Sequence, residues 1–411
     1  MSLTTTMRFA SFMSDLGELE PALEDARRHF GPQLGGTRPD LLVVYASPHF
    51  EPLYDRLAAR LQEAFGPRHM LGGSAAGLIG GMREVEHQPG LALAAAWLPG
   101  VELTPYHWPN EALPDQDAGP RAWHAALNLA PERKPHFILH CDPFSARVED
   151  LLRGLDFAYP AAVKVGGLVS GARQAGRNAL FLDGRAYREG TTGLAVSGGV
   201  RIDPLVAQGC RPIGVPVRVT KCRQNVLQEL DGKKPLEIVA ELFQESPERD
   251  RELIRSALFM GLIMDPYRAP PWHAGDFLIR NVIGMDPQAG ALIVGAFLRE
   301  GQVVQFHVRD AQAAEHELLQ LLRGYATALL SEGKGEALGA PPAGALLFSC
   351  LGRGKHMYGR PNHDSDAFRA CLGDVPLAGF FCNGEIGPVG GTTYIHGFTS
   401  SFAIFRPAAP A

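Results

Sequence analysis

One pattern along this chain restricts its fold more than any other. An apolar segment ends in a polar-Pro turn, an amphipathic helix follows, a glycine cluster closes the unit, and the whole series then recurs. The first copy runs through Leu42-Val-Val-Tyr-Ala-Ser-Pro-His-Phe and the second through Phe137-Ile-Leu-His-Cys-Asp-Pro-Phe. Leu53, Leu57, Leu61 and Phe65 mark one helical stripe, and Val148, Leu151, Leu152 and Leu155 mark the other. Gly72-Gly-Ser-Ala-Ala-Gly77 and Gly166-Gly-Leu-Val-Ser-Gly171 close the two copies. Pro48 and Pro143 stand 95 residues apart, and Gly72 and Gly166 stand 94 apart.

A third copy follows near the C-terminus: a strand over Ala345–Phe348, a helical stretch over Asp364–Leu372, and Ala378-Gly-Phe-Phe-Cys-Asn-Gly384. Segments after each glycine cluster alternate or run apolar between turn signals, as hairpin strands do. The pattern predicts an α/β fold of mixed sheets with interleaved helices, in two related α/β halves built from a repeated strand, helix, strand, glycine-turn unit. A chain of 411 residues fits two domains. The boundary expected from the turn Gly209-Cys-Arg-Pro-Ile-Gly214 lies near residue 210, giving 1–210 and 211–411. Downstream, helices are predicted over Pro235–Glu245, Pro247–Leu258 and Glu315–Leu330, strands over Asp276–Val282 and Ala291–Leu298, and a loop over 331–344.

The C-terminal copy is densest in reactive side chains. Phe348-Ser-Cys-Leu-Gly-Arg-Gly and Gly379-Phe-Phe-Cys-Asn-Gly-Glu-Ile-Gly-Pro bring Cys350, Arg353, Cys382, Asn383 and Glu385 to the ends of two apolar strands, with His396 and Thr399 shortly after. Glycines there let backbone approach something closely. Arg353, between Gly352 and Gly354, is the candidate anion anchor, since a guanidinium grips a carboxylate through two parallel hydrogen bonds; the alternative is an ion pair with Glu385. Glu385 would hold an amino group while Arg353 and the Asn383-Gly384 turn hold a carboxylate, an arrangement suited to a zwitterion; the alternative is a turn carboxylate. Cys350 is a thiol activated by its arginine neighbour, a haem thiolate ligand, or a small core residue.

Composition narrows the classes. Net charge is −5, without a long run of one sign, so nucleic acid is not an expected partner. The segment Met1–Ser14 reads as neither signal peptide nor anchor, and the richest apolar run, Leu91–Leu98, is too short to span a membrane. A cytoplasmic protein without membrane insertion is expected. Six cysteines at irregular spacing, with no C-x-x-C, fit reduced thiols better than disulfides or structural zinc.

Read together and in order, these motifs resemble the paired FIST N and FIST C domains, an intracellular sensory module of bacterial signalling proteins that also occurs with an F-box in eukaryotes. Gly72-Gly-Ser-Ala-Ala-Gly, Glu84-x-Glu86, Gly166-Gly-Leu-x-Ser-Gly and Gln208-Gly-Cys-Arg-Pro-Ile-Gly carry the resemblance in the first half. Leu230-Asp-Gly, Phe348-Ser-Cys-x-Gly-Arg-Gly, Gly379-Phe-Phe-x-Asn-Gly-Glu-Ile-Gly-Pro and His396-Gly-Phe-Thr-Ser carry it in the second. The resemblance implies a sensor of small ligands, with amino acids proposed for the family and haem and nitric oxide reported for some bacterial members, and no established catalytic reaction. With no long extension for a kinase or cyclase, signalling would pass to a partner such as a histidine kinase.

The expected ligand-binding residues are therefore Cys350, Gly352, Arg353, Gly354, Asn383, Gly384, Glu385, His396 and Thr399, with Gly72, Gly73, Ser74, Gly77, Gly166, Gly167 and Ser170 supplying the opposite wall. No catalytic or metal residue is assigned. Neither early glycine cluster runs into Lys-Ser or Lys-Thr, so a phosphate loop is not expected. Haem remains an alternative cofactor, with His356, His363, His396, His140 or Cys141 as donor, and a Cys350 nucleophile with His396 or His356 as base remains an alternative enzyme.

Overall fold

The same local unit is built three times, and the three are tied together by an exchange of hairpins. In the first copy, strand Leu41–Ala46, helix Tyr54–Phe65 and strand His69–Ser74 are followed by return strand Leu91–Trp97. The second uses His136–Cys141, Val148–Ala158, Lys164–Leu168 and Thr191–Gly198; the third uses Gly344–Cys350, His363–Leu372, Leu377–Cys382 and Ser400–Pro407. In each copy the first two strands pair in parallel and the return strand adds antiparallel. Edge strands Arg8–Ser14, Val101–Trp108 and Val200–Ala207 finish one side of each sheet. The first of these strands, inside the segment Met1–Ser14, had no sequence signal. These observations come from a computed structural model, which describes residues 6–115, 117–332 and 340–408.

Between the inner strand and the return strand each copy sends out a hairpin, and none of these hairpins completes its own sheet. The hairpin Gly77–Gly80/Arg83–Glu86 of the first copy pairs with Leu377–Cys382 of the third. That of the second, Leu180–Leu182/Arg185–Tyr187, pairs with His69–Ser74 of the first. That of the third, beginning at Glu385, pairs with Lys164–Leu168 of the second. Three six-stranded sheets result, each closed on one side by a neighbour's hairpin.

This exchange explains the glycine clusters. A Cβ on Gly72 would lie 1.7 Å from the Val44 carbonyl oxygen, one on Gly166 1.9 Å from that of Leu139, and one on Gly379 1.8 Å from that of Leu347. The three are equivalent positions, each opposite the neighbouring parallel strand, where any side chain would occupy backbone. Gly73, Gly77 and Gly167 make room instead for Val169, Phe381 and the Cys382 sulfur, at 2.5, 2.6 and 2.4 Å from a built Cβ.

Side chains from all three sheets share one buried core, in which Tyr45, Ile138, Phe348 and Phe380 meet Leu71, Val165 and Ala403. The helices cover outer faces: Leu57, Leu61 and Phe65 pack on the first sheet, Leu151, Leu152 and Leu155 on the second. Each such side chain, fully buried, contributes about 1.5–3 kcal/mol.

By contact the chain divides into two compact units. One holds residues 1–206, 319–395 and 399–411, and so contains all three copies; the other holds 207–318 and 396–398. The compact units therefore follow the repeat, with the third copy beside the first two, and not the order of the sequence halves. The second unit is an antiparallel sheet in which Val303–Arg309 pairs with both Val217–Arg223 and Leu258–Ile263, closing a ring of strands over Met260, Leu292, Val304 and Phe306. Helices Pro235–Glu245 and Glu248–Ser256 and strands Phe277–Asp286 and Ala291–Val294 lie close to their predicted spans, and helix Ala311–Glu332 extends the predicted one at both ends. Of the loop expected over 331–344, residues 333–339 lie outside the described residues. The overall architecture is the mixed α/β one expected.

Candidate functional site

Strand Gly344–Cys350 ends at a half-buried cysteine, and the chain then turns inward so that Arg353 is fully buried, at 0% exposure. A buried guanidinium needs a partner, and here it is Asp364, at the start of helix His363–Leu372. Arg353 Nε donates to Asp364 Oδ2 at 3.1 Å and Nη2 donates to Oδ1 at 3.0 Å. Ser349 Oγ donates to the same carboxylate at 3.0 Å, Ser400 Oγ donates to it as well, and His363 Nδ1 lies 2.8 Å from Oδ1. Burial acts to raise the Asp364 carboxyl, but the Arg353 charge and the His363 hydrogen bond hold it well below the usual carboxylate range. Arg353's fork is thus committed within the chain, to Asp364 and not to the Glu385 pairing weighed from sequence.

Glu385 opens the hairpin strand Glu385–Val389 and is itself 0% exposed. The Thr399 N–H donates to its Oε2 at 3.2 Å, the Cys350 thiol lies against the same carboxyl, and Oε1 has no hydrogen-bond partner among the described residues. Burial pushes this carboxyl well above the ordinary range, against the pull of the Thr399 N–H, Arg353 and Cys350. Burial thus favours the protonated form, which can donate one hydrogen bond and accept another.

A second buried acid comes from the first copy's exchanged hairpin. Glu84, 5% exposed, accepts from the Ser365 N–H at 2.7 Å and Ser365 Oγ at 2.9 Å. Burial, and then the Asp364 charge, push it up to about 8. Two residues on, Glu86 accepts the Lys355 N–H at 2.8 Å, and Gly354 lacks a Cβ that would meet that carboxylate at 2.5 Å.

Glu84 makes the first prediction. Its carboxyl keeps its proton to about pH 8 when folded and releases it near 4.5 when unfolded, so its stabilisation is complete below about 4.5 and is lost progressively as pH rises to about 8. Glu84→Gln should match the wild type near pH 4.5 and exceed it increasingly up to pH 8, by as much as about 4 kcal/mol. Urea denaturation of both proteins across that range is the measurement; parallel curves would assign the pH dependence elsewhere.

Toward the centre of the first unit the equivalent strand positions Tyr45, His140 and Phe348 converge with Phe380. Tyr45 Oη lies 2.9 Å from His140 Nε2, and the His140 ring packs 5.6 Å from Phe380 and 6.0 Å from Phe348. Burial pushes His140 down to about 3 and Cys141 up to about 12. Both haem donors weighed in the second copy are thus core side chains, His140 with one ring nitrogen already taken by Tyr45. His363 is stacked on Tyr358 and tied to Asp364, while His356 is exposed. Among the described residues no cluster of three or more His, Cys, Asp or Glu could hold a metal ion.

The other expected residues fall as follows. Cys350, Arg353, Glu385 and Thr399 come together in the first unit, with half-buried Gly352 and exposed Asn383 beside them. Gly352 N–H donates to Cys350 Sγ at 3.4 Å, as Phe144 N–H donates to Asp142 Oδ2 at 3.2 Å at the equivalent turn of the second copy. The Gly384 carbonyl accepts the Leu168 N–H at 2.8 Å. Ser74 Oγ donates to Asn178 Oδ1 at 3.3 Å, and Ser170 Oγ donates to the Phe381 carbonyl at 2.6 Å. Gly72, Gly73, Gly77, Gly166 and Gly167 serve the strand and hairpin contacts described above. His396 is grouped with the second unit. None of Asp364, Ser349, Ser400, Ser365 and Glu84 was assigned to the site from sequence, although Ser349, Ser400 and Glu84 lie inside motifs quoted above and so left a signal.

Comparison with known proteins places the sequence in a family. The FIST N domain model matches residues 40–233 and the FIST C domain model residues 235–388. The chain belongs to the FIST family. FIST domains are sensory domains in signalling. This FIST protein is 36% identical over 400 residues to an uncharacterized protein of Mycobacterium tuberculosis, covering 97% of this chain and all of that one. It is 34% identical over 374 residues to an uncharacterized protein of Mycobacterium bovis, covering 91% and 92% of the two chains. Human F-box only protein 22 matches over 43 residues at 52% identity, 10% of this chain and 11% of that one. No helix among the described residues of this FIST protein is long and apolar enough to cross a membrane.

Proposed function

We propose that this FIST protein is a cytoplasmic sensor, not an enzyme, that takes a small polar ligand of amino-acid size beside Cys350 and Glu385, with the Gly352 and Asn383 turns contributing. It passes the bound state to a signalling protein such as a histidine kinase. The observation that carries the reading is the buried Glu385 carboxyl with one oxygen unpartnered among the described residues, beside a half-buried thiol. An unmade buried hydrogen bond costs about 1–3 kcal/mol, and a ligand that completes it recovers that amount. A protonated carboxyl both donates and accepts, so it suits a ligand amide or carboxylate group. Arg353 acts from behind as a fixed positive charge, its fork being occupied by Asp364.

A thermal-shift screen of the purified protein against amino acids, organic acids, primary amides and haem tests this. At a hundredfold excess over Kd a native-state ligand adds about 2.7 kcal/mol, a shift of roughly 3–5 °C for a protein of this size. Glu385→Leu, which removes both the donor and the acceptor, should weaken the response to the best polar ligand at least tenfold. An equal response in that variant would remove Glu385 from the site; a Soret band and a shift with haem alone would replace the polar-ligand reading.

A further inference from the structure

Cys350 and Cys382 are register partners on adjacent parallel strands, the last pair of the ladder that joins Ala345 to Leu377. Partners in a ladder project to the same face, and neighbouring strands run about 4.8 Å apart. That separation lies inside the roughly 4.4–6.8 Å range of Cα spacings that a disulfide spans. The two thiols differ in access: Cys350 is half-buried at the strand end and Cys382 is fully buried behind it. Glu385, with Oε1 unpartnered among the described residues, lies against Cys350. A thiol within reach of solvent, a second thiol in register behind it and a buried carboxyl beside them are the parts of a two-cysteine peroxide site.

We propose that Cys350 and Cys382 form a peroxide-reactive dithiol, in which a small hydroperoxide oxidises Cys350 and Cys382 resolves the product to a disulfide. In the first step the Cys350 sulfur attacks the terminal peroxide oxygen. The S–O bond forms, the O–O bond breaks, and the alcohol, or water from hydrogen peroxide, leaves with the thiol proton relayed through the Glu385 carboxyl. In the second, Cys382 Sγ attacks the sulfenyl sulfur; the S–S bond forms, the S–O bond breaks, and hydroxide leaves as water with the Cys382 proton. The sum is two thiols and one hydroperoxide going to one disulfide, one alcohol and one water. The dithiol stands independently of the ligand reading, because its readout is the covalent state of two named sulfurs.

The test uses the full chain, one equivalent of hydrogen peroxide, denaturing alkylation and peptide mass mapping. One new disulfide, Cys350 to Cys382, reversible by dithiothreitol, is expected. Half-buried Cys222 and Cys371, neither of which faces a second cysteine in a strand register, should remain alkylatable as internal controls. In Cys382→Ser the disulfide should disappear and Cys350 should be trapped by dimedone as the sulfenic acid. In Cys350→Ser, Cys382 should stay reduced. Wild-type Cys350 reaching the sulfinic acid while Cys382 still alkylates, both thiols staying reduced, or a disulfide between any other pair would overturn the proposal. The wild-type map decides the matter even if a variant fails to fold.

Discussion

Gly379→Ala is expected to destabilise the first unit by at least about 3 kcal/mol. A Cβ at this position would lie 1.8 Å from the Leu347 carbonyl oxygen and 2.7 Å from its carbon. Both obstacles are backbone of the paired strand, so no side-chain rotation relieves the overlap. Separating the strands would break the ladder that places Cys350 opposite Cys382 and would disturb the seat of the first copy's hairpin on Leu377–Cys382. Overpacking of flexible cores costs about 1–3 kcal/mol; against fixed backbone we expect at least the upper end, a large part of the stability of an ordinary domain. Soluble yield and the urea midpoint measure it. Gly119→Ala, with nothing within 4 Å of the added carbon, should stay within about 0.5 kcal/mol of wild type. Equal midpoints for the two variants would refute the steric account of the glycine clusters.

The second large effect belongs to the buried ion pair. Asp364→Ala removes the carboxylate that grips the Arg353 guanidinium at 0% exposure and takes an acceptor from Ser349 and Ser400. Removing one partner of a buried pair typically costs about 3–5 kcal/mol, because the remaining charge has no water to return to. Arg353→Met combined with Asp364→Leu removes both charges and should recover much of that loss. Denaturation of the single and double variants gives the coupling directly. Strictly additive losses would mean that the two side chains do not act as a pair, whereas recovery in the double variant together with a lost ligand response would separate the cluster's structural part from its sensory one.

Much of this architecture was legible because its signals are local. A stripe such as Leu57, Leu61 and Phe65, or an apolar run ending in Ser47-Pro48, declares helix or strand without reference to the rest of the chain. The third copy could be recognised by the same means. The exchange of hairpins could not, because Gly77–Gly80 would read the same whether it paired at home or with Leu377–Cys382. The glycines announced close approach, but not that the approaching group was a neighbouring strand. At the site, Cys350, Arg353 and Glu385 stood out as unusual residues near glycine. Asp364 did not, since an acidic residue in a helix's first turn is ordinary and its pairing with Arg353 depends on a tertiary turn. Arg8–Ser14 was missed because Arg8, Ser11 and Ser14 interrupt the apolar residues, and the strand gains its identity only by pairing with Leu91–Trp97.

The cyclic hairpin exchange also sets an order of assembly. A ribosome completes residues 1–206 before any part of the third copy exists, so the hairpin Gly77–Gly80/Arg83–Glu86 must wait through more than a hundred further residues for strand Leu377–Cys382. During that interval its apolar face and open strand edge invite pairing with another nascent chain. A fragment cut at residue 210 would hold that state permanently, which favours intermolecular exchange and aggregation over an independent N-terminal domain.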